Sequence, residues 1–260
     1  MYVYARGRCI RGNAVYGTQH SERRFVTSIG ATGLLSAAHL KSLTEGVKSG
    51  GLARRLHVHV SGYFSCPSLQ QGLAQYLQEL RARAAERGQQ ITISFDTNCD
   101  ASGQWGSGVV DVLREVDVFL PNEVEAAAIA NRMGDAGEDA NTELAAAADR
   151  LASTVRQAVI ITCGKEGCIF QTRDAMAAGQ QPRRIAAPSG IQPVDATGAG
   201  DAFDAGFIFR WAVCGGTMEE AVCAGSCCGA LCTESVGANA NPPSAETLSK
   251  MEASQRATML

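Results

Sequence analysis

The sequence predicts a three-layer α/β/α fold built around a central, mostly parallel β-sheet. Short apolar segments of strand length alternate with longer segments of helical periodicity over most of the 260 residues, as in successive β-α units. Polar or glycine-rich turns directly follow several of those strands. The composition, 45% hydrophobic and 19% charged, is that of a globular chain long enough to bury a sizeable core.

The first two predicted strands stand apart from this alternation. Cys9 to Tyr16 and Arg24 to Ser28 are joined by the polar turn 17–22, as in a hairpin. A helix is predicted from Thr32 to about Leu43, and a short strand from His57 to Val60. The two histidines of that strand are interpreted as half-buried side chains and not as a metal pair, because no third ligand is near.

The remaining elements follow from the same periodicities. A helix covers Leu69 to Leu80, and Gly88 is placed to end it. Further strands are predicted at Ile91–Phe95, Val118–Leu120, Ala158–Thr162 and Cys168–Thr172. Further helices are predicted at Val109–Val116, Glu123–Arg132 and Thr142–Arg156. Three more follow: one that begins at the Asp201 region, one formed by the cysteine-rich segment, and a last one from about Ser244.

The strand ends carry the polar residues of interest. In a parallel sheet the carboxyl ends of the strands meet at one edge, where ligands bind. Asp96, Asn122, Gly164 and the turn before Asp201 each follow a predicted strand. We therefore expect these four sites to converge.

Bulk properties exclude several classes of function. The net charge of −3 gives no general attraction to nucleic acid or anionic membranes. No apolar stretch reaches the length of a membrane span, and no secretory signal is visible, so the cytoplasm is the expected location. The ten cysteines form no Cys-x-x-Cys pair, which argues against zinc. Those of the cysteine-rich segment fall at helical spacing and are interpreted as reduced, small core residues: Cys223, Cys227, Cys228 and Cys232.

The segment from Val194 to Phe207 is the most informative part of the chain. Gly198, Ala199 and Gly200 stand directly before an acid and an apolar helical stretch. Such a turn can point several backbone N–H groups at one anion, and the helix adds its positive end. Asp201, at the edge of that anion site, is placed to take a proton from an attacking hydroxyl. The structural alternative is a glycine-rich turn with a capping acid.

Two weaker motifs lie upstream. Asn122 and Glu125 begin a helix, where a carboxylate can hold hydrated Mg²⁺, although the same pair is a capping-box variant. Thr162 to Gly167 contains two glycines that permit a tight turn and close approach to a ligand. An ordinary hairpin turn is the alternative there.

The run from Asp195 to Asp201 resembles the second signature of the ribokinase-like (PfkB) family of carbohydrate kinases, Asp-Thr-x-Gly-Ala-Gly-Asp, with Ala196 where Thr is usual. The resemblance implies that Gly198, Ala199 and Gly200 form the anion hole for the transferred phosphoryl group. It also implies that Asp201 is the base.

Other segments extend the resemblance. Asn122–Glu125 resembles the Asn-x-x-Glu motif, and Thr162–Gly167 resembles the nucleotide turn. Residues 220–238 resemble the adenine-side helix and turn, with Ser226 where Asn is common. The implied cofactor-binding residues are Asn122, Glu125, Thr162, Gly164, Gly167, Thr197, Ser226 and Gly229. Glu125 and Asp195 are the implied metal ligands, for Mg²⁺ and a monovalent cation such as K⁺ respectively, and turn capping is the alternative for Asp195.

One segment departs from the family. Asp96, Thr97, Asn98 and Trp105 resemble the Asp-x-Asn…Trp segment of sugar kinases, but Asp100 stands where a basic residue is often found. Trp105 is interpreted as a packing residue and not as a sugar platform.

The resemblance also begins late in the family pattern. Arg23, Arg24 and Phe25 resemble the Gly-Glu-Arg-x-Phe strand, and no Gly-Gly-x-x-Asn turn precedes them. The N-terminal strands of the sheet, which supply most sugar contacts, are therefore expected to be missing. We expect one domain over residues 1–260, with a remnant of the β-lid at about 9–28 and the α/β core at about 32–260.

The expected function is ATP-dependent phosphorylation of a hydroxyl on a small sugar or sugar acid, with ATP and Mg²⁺ as cofactors. The alternative is a catalytically impaired, nucleotide-binding relative with a regulatory or partner role. A dinucleotide-binding enzyme is disfavoured because no early Gly-x-Gly-x-x-Gly follows a first strand. The expected partners are a small-molecule sugar and ATP, without nucleic acid or membrane, and a homodimer could form through the lid strands.

Overall fold

The main sheet has six strands in sequential order. The computed structural model describes residues 12–17, 23–28, 30–46, 55–106, 108–134, 143–238 and 242–259. The strands, in sheet order, are β3 (Arg55–Val60), β4 (Gln90–Phe95), β5 (Val118–Phe119), β6 (Ala158–Thr162), β7 (Cys168–Thr172) and β8 (Arg183–Ile185). Neighbours from β3 to β6 are parallel, whereas β6–β7 and β7–β8 are antiparallel. The predicted mostly parallel sheet is confirmed.

Helices connect and cover these strands. They are α1 (Ala37–Gly46), α2 (Pro67–Gln70), α3 (Leu73–Glu86), α4 (Val109–Leu113), α5 (Glu123–Met133), α6 (Leu144–Ala152), α7 (Arg173–Ala177), α8 (Ala199–Ile208), α9 (Met218–Cys232) and α10 (Ala245–Met259). One turn of π-helix, Phe209–Val213, extends α8. The helix predicted from Leu69 to Leu80 is divided into α2 and α3. The elements α7 and β8 were not predicted, because they are too short to show a periodicity of their own.

Side chains of successive strand residues enter two separate cores, and this alternation creates the three layers. In β6, Val159 and Ile161 belong to one core, which contains helices α3 to α6. Ala158 and Ile160 belong to the other core, which contains α8 and α9. Because both faces of the sheet are covered, the three-layer α/β/α prediction is confirmed.

Two further strands form a separate antiparallel pair. β1 (Gly12–Gly17) and β2 (Arg23–Ser28) are joined in register from Gly12 opposite Ser28 to Gly17 opposite Arg23. They correspond to the hairpin expected at Cys9–Ser28, of which residues 9–11 and 18–22 lie outside the described part of the chain. The assignment of this pair as a lid stays a prediction.

The cysteine-rich helix α9 packs tightly against α8. A Cβ atom on Gly225 would lie 2.9 Å from the Phe203 carbonyl oxygen, and one on Gly229 would lie 3.0 Å from the Ala199 carbonyl oxygen. Only small residues permit this approach. Most of the α9 cysteines are buried, and all are free thiols, as expected for small core residues.

Candidate active site

The carboxyl ends of β3 to β6 meet at one edge of the sheet. Main-chain hydrogen bonds continue past the strands: Asp96 N donates to Val60 O, Leu120 N to Phe95 O, and Thr162 N to Pro121 O. Asn122 and Thr162 form one further parallel bridge. The residues that follow neighbouring strands are therefore held side by side, as the sequence predicts.

The first turn of α8 presents free backbone donors at this edge. Gly198 caps the helix at φ 78°, and a Cβ there would come within 2.4 Å of the Ala238 Cβ, so only glycine fits. In the described residues, no main-chain acceptor takes the N–H groups of Gly198, Gly200 or Asp201. Ala199 N differs, because it donates to Ala196 O at 3.3 Å. The free donors thus include Asp201 N, which the sequence analysis did not name.

Gly200 differs sterically from the other glycines of this segment. A Cβ at Gly200 would meet no atom within 4 Å, so packing does not require glycine here. The space in front of this residue is open, as expected where a ligand must approach the main chain.

Asp195 ties the turn before α8 to the loop after α9. Its Oδ1 accepts hydrogen bonds from Thr197 N and Thr197 Oγ1 at 2.9 and 2.7 Å. Its Oδ2 accepts from Gly237 N at 2.9 Å. Both oxygens therefore act in turn capping, which is one of the two roles expected for this residue.

Four carboxyl groups lie close enough at this edge to influence one another. They are Asp96, Glu125, Asp201 and Asp204, which we call the acidic cluster. Burial, followed by the neighbouring carboxylates, raises the pKa of Glu125 to about 7 and that of Asp204 well above its usual range. Burial and the charge of Asp201 also raise the pKa of Asp96, against hydrogen bonds that lower it. Within the described ranges, no lysine or arginine forms an ion pair with this cluster.

Asn122 and Glu125 form a complete capping box. Asn122 Oδ1 accepts from Val124 N and Glu125 N at 3.0 Å each, while Asn122 N donates to Glu125 Oε2 at 3.2 Å. Glu125 is nevertheless 4% exposed, and the fully buried Thr97 hydroxyl lies beside its carboxylate. Capping explains the position of Glu125, but it does not require burial of the charge.

A cavity of about 340 Å³ opens beside this box. Its lining residues come from three strand-end segments: Cys99, Trp105, Asn122, Glu123, Val124, Glu125, Thr162 and Gly164. Trp105 is held at φ 51° by its N–H donating to Asp100 Oδ2 at 2.7 Å, and its ring contacts Phe64 edge-on. The side chain predicted to be only a packing residue therefore both packs and lines the cavity.

The predicted nucleotide turn is also the connection of a hairpin. Thr162 pairs with Cys168 across β6 and β7, with the turn between them. Gly164, at φ 55°, lines the cavity and has nothing within 4 Å of a Cβ position. Gly167 is required for packing, because its Cβ would lie 2.0 Å from Ile185 O. Packing therefore requires glycine at position 167, whereas at position 164 the backbone angle favours glycine and the space beside it is open.

Two predicted nucleotide contacts lie in the interior. Ser226 is 7% exposed, and Cys168 is the neighbour with which its hydroxyl interacts. Gly229 is buried and accommodates the first turn of α8. Gly229 therefore packs against the first turn of α8, whereas Ser226 lies against β7.

Sequence reasoning missed a contact that joins β3 to α8. His59 Nε2 lies 3.6 Å from Asp204 Oδ2. The histidines of β3 were interpreted as half-buried side chains without a named partner, and Asp204 was treated as part of an apolar helix. The available signal was the acid itself, since a carboxylate among Phe203, Ala205 and Phe207 occupies a position that burial should make apolar.

Two negative observations apply to the described part of the chain. None of its helices has the length and apolarity needed to cross a bilayer. No three of its His, Cys, Asp and Glu side chains are grouped to hold a metal ion.

Comparison with known proteins adds a family match. The family model for the pfkB family of carbohydrate kinases matches residues 8–245. An uncharacterized sugar kinase of Archaeoglobus fulgidus is 29% identical over 153 residues, which are 58% of this chain and 54% of that protein. The chain thus matches about half the length of this curated relative.

Solved structures match over most of the chain. The ribokinase of Giardia lamblia has a TM-score of 0.71 at 18% identity, over 94% of this chain and 71% of that one. The ribokinase of Thermotoga maritima has a TM-score of 0.62 at 18% identity, over 93% and 69%. The fructokinase of Vibrio cholerae O395, bound to fructose, ADP and calcium ion, has a TM-score of 0.67 at 19% identity, over 92% and 72%. At these identities the likeness shows the fold.

Proposed function

Since the chain belongs to the pfkB family of carbohydrate kinases, we propose that it transfers the γ-phosphoryl group of ATP to a hydroxyl of a small sugar or sugar acid. One observation carries the proposal. The exposed Asp201 carboxylate stands in the first turn of α8, beside main-chain N–H groups that have no main-chain acceptor among the described residues. A base next to an anion site is what phosphoryl transfer to a hydroxyl requires.

The residues divide the reaction between them. Asp201 accepts the proton of the acceptor hydroxyl while that oxygen attacks the γ-phosphorus, and the bond to the bridging oxygen breaks to release ADP. The N–H groups of Gly198, Gly200 and Asp201 donate to the transferring phosphoryl oxygens, where negative charge is concentrated. The hydrogen bond from Ala199 N to Ala196 O is long, at 3.3 Å. Ala199 N can therefore give up this bond and donate to the same phosphoryl oxygens.

The acidic cluster supports a role for Mg²⁺. Glu125 is a buried carboxylate beside the buried Thr97 hydroxyl, and no lysine or arginine of the described residues forms an ion pair with it. Oxygen donors of this kind suit Mg²⁺, which keeps most of its water. Asn122 and Glu125 would hold the hydrated ion, which, when bound, neutralises charge on the phosphates of ATP.

The cavity beside Asn122 is proposed to take the nucleotide phosphates. Thr162 and Gly164 line it directly. Gly167, Ser226 and Gly229 do not line the cavity and are proposed to contribute through packing. Thr197 and Asp195 fix the turn that precedes α8, and a potassium ion at this turn stays a prediction.

A coupled assay for ADP release tests the proposal. ATP and Mg²⁺ are offered with ribose, fructose, ketodeoxygluconate and adenosine in turn. We expect turnover with at least one acceptor and a loss of about 10²–10⁴-fold in kcat for Asp201→Asn. Asp174→Asn, an exposed acid of α7, is the matched control and should behave like the unsubstituted protein. Full activity of Asp201→Asn would show that the base is misassigned, and nucleotide binding without any turnover would favour a non-catalytic relative.

A further inference from the structure

Asp204 is a buried carboxyl group that the proposed transfer reaction does not use. It lies three residues after Asp201 in α8 and is 7% exposed. Asp96, Glu125 and Asp201 each disfavour a negative charge at this position. Among the residues that the structure describes, its ion-pair partner is His59. An acid in such surroundings is strongly unfavourable unless it is neutral or paired.

His59 is the end of a chain of hydrogen-bonding side chains. Its Nδ1 lies 2.8 Å from Ser94 Oγ, and the same oxygen lies 3.0 Å from His57 Nε2. His57 Nδ1 lies 2.9 Å from Thr92 Oγ1. Ser94 is fully buried, so its hydroxyl has the two histidines as its partners. The chain connects β3, β4 and α8.

The single hydroxyl proton of Ser94 allows two arrangements with neutral histidines. If Ser94 donates to His59 Nδ1, both histidines carry their proton on Nε2, and His59 donates toward an ionised Asp204. If Ser94 donates to His57 Nε2, both histidines carry their proton on Nδ1. His59 Nε2 is then an acceptor, and Asp204 must be protonated to donate to it.

The surrounding charges select the second arrangement. Three carboxyl groups face Asp204, from the residue that follows β4, from α5 and from α8, and no lysine or arginine of the described residues pairs with it. Burial also lowers the pKa of His59 to about 4, so an imidazolium at this position is disfavoured. A neutral acid beside a neutral imidazole avoids both buried charges.

We propose that Asp204 is a protonated carboxyl group that donates a hydrogen bond to neutral His59, and that this pair positions the first turn of α8 over the sheet edge. The separation of 3.6 Å exceeds an ordinary hydrogen bond by about 0.6 Å, so the proposed bond requires the two side chains to approach each other by that amount. Asp201 and the free N–H groups lie on the same turn. The positioning role rests on the proposed function, whereas the protonation state does not.

Nitrogen NMR of the ¹⁵N-histidine-labelled protein tests the protonation state. The chain has four histidines, and His20→Gln together with His39→Gln leaves only the signals of His57 and His59. We expect both to carry their proton on Nδ1. Asp204→Asn, whose amide can still donate, should preserve this tautomer, whereas Asp204→Leu should shift His59 toward protonation on Nε2. Protonation on Nε2 in the unsubstituted protein, or an imidazolium at His59, would overturn the proposal.

Kinetics test the positioning role. Asp204→Asn should keep at least about a third of kcat, whereas Asp204→Leu should lose roughly tenfold in kcat with little change in the KM for ATP. Unchanged kcat in the Leu variant would show that the pair positions nothing. Activity in the Asn variant as low as in Asp201→Asn would make Asp204 a catalytic carboxylate and overturn the proposal. If no acceptor is turned over, the proposed function fails, while the NMR result still decides the protonation state.

Discussion

At the scale of single residues, the site depends on acids whose environments differ. Asp201 is exposed, whereas Glu125 and Asp204 are buried within the same cluster. An exposed carboxylate can receive a proton and release it to solvent, while a buried one is biased toward its neutral form. Burial, and not residue type, therefore distinguishes Asp201 from Glu125 and Asp204.

Glu125 should make stability depend on pH. Burial raises its pKa from 4.5 to about 7, so between these values the folded state holds a proton that the unfolded state does not. The resulting contribution to the free energy of unfolding, on the order of 3 kcal/mol, is fully present below pH 4.5 and is lost as the pH rises through 7.

The measurement is urea unfolding from pH 4.5 to 8 in EDTA, for the unsubstituted protein and for Glu125→Gln. Glutamine preserves the capping box but does not titrate. The stability of the unsubstituted protein relative to the variant should fall across this range. A constant difference would contradict the elevated pKa.

At the scale of elements, α8 has one packed face and one open face. A Cβ on Gly206 would lie 2.7 Å from Cys228 Sγ and 2.8 Å from Ala224 O, whereas Gly200 has nothing within 4 Å. The two glycines of one helix therefore serve different purposes.

Alanine substitutions should separate these purposes. Gly206→Ala should destabilise the protein by about 1–3 kcal/mol through overpacking. Gly200→Ala should leave the melting temperature nearly unchanged, yet it should weaken nucleotide binding and turnover because the methyl group enters the anion site. Calorimetric melting and ATP titration measure the two effects. Equal losses of stability in the two variants would refute the distinction.

At the scale of the whole molecule, the two ends of the sheet have separate roles. The carboxyl edge carries the acidic cluster, while Asp117 lies before β5 at the opposite edge. Asp117 Oδ2 accepts from Ile93 N at 2.7 Å and from Arg81 Nη2 at 2.6 Å, and Arg156 lies 3.7 Å from Oδ1. These contacts connect β4, α3 and the segment before β6.

Loss of Asp117 should affect stability and not chemistry. Asp117→Ala removes the carboxylate partner of the partly buried Arg81, which keeps only its hydrogen bonds to main-chain oxygens, at a cost of about 3 kcal/mol. Below its melting temperature the variant should retain the kcat and KM of the unsubstituted protein. Asp111→Ala, which removes an exposed pair with Arg114, is the control and should change stability by less than about 1 kcal/mol. A reduced kcat in folded Asp117→Ala would mean that the two edges are coupled.

Local patterns in the sequence contained most of the fold. Apolar periodicity located the strands from β3 to β7 and the longer helices, and their order predicted that Asp96, Asn122, Gly164 and the Asp201 turn share an edge. The family match confirmed the resemblance carried by residues 195–201. The short elements α7 and β8 were missed, and α2 was joined to α3, because a few residues cannot show a periodicity.

By itself, the sequence determined the alternation of strands and helices and the glycine-acid turn, because both depend on neighbouring residues. Which of those residues are needed for packing and which face the open site became clear only from the folded structure. In the folded structure Gly167 and Gly206 are tightly packed, whereas Gly164 and Gly200 are open. The fold also places Asp204 beside His59. These distinctions depend on distances between segments far apart in the chain, and those distances arise only when α8 packs on the sheet.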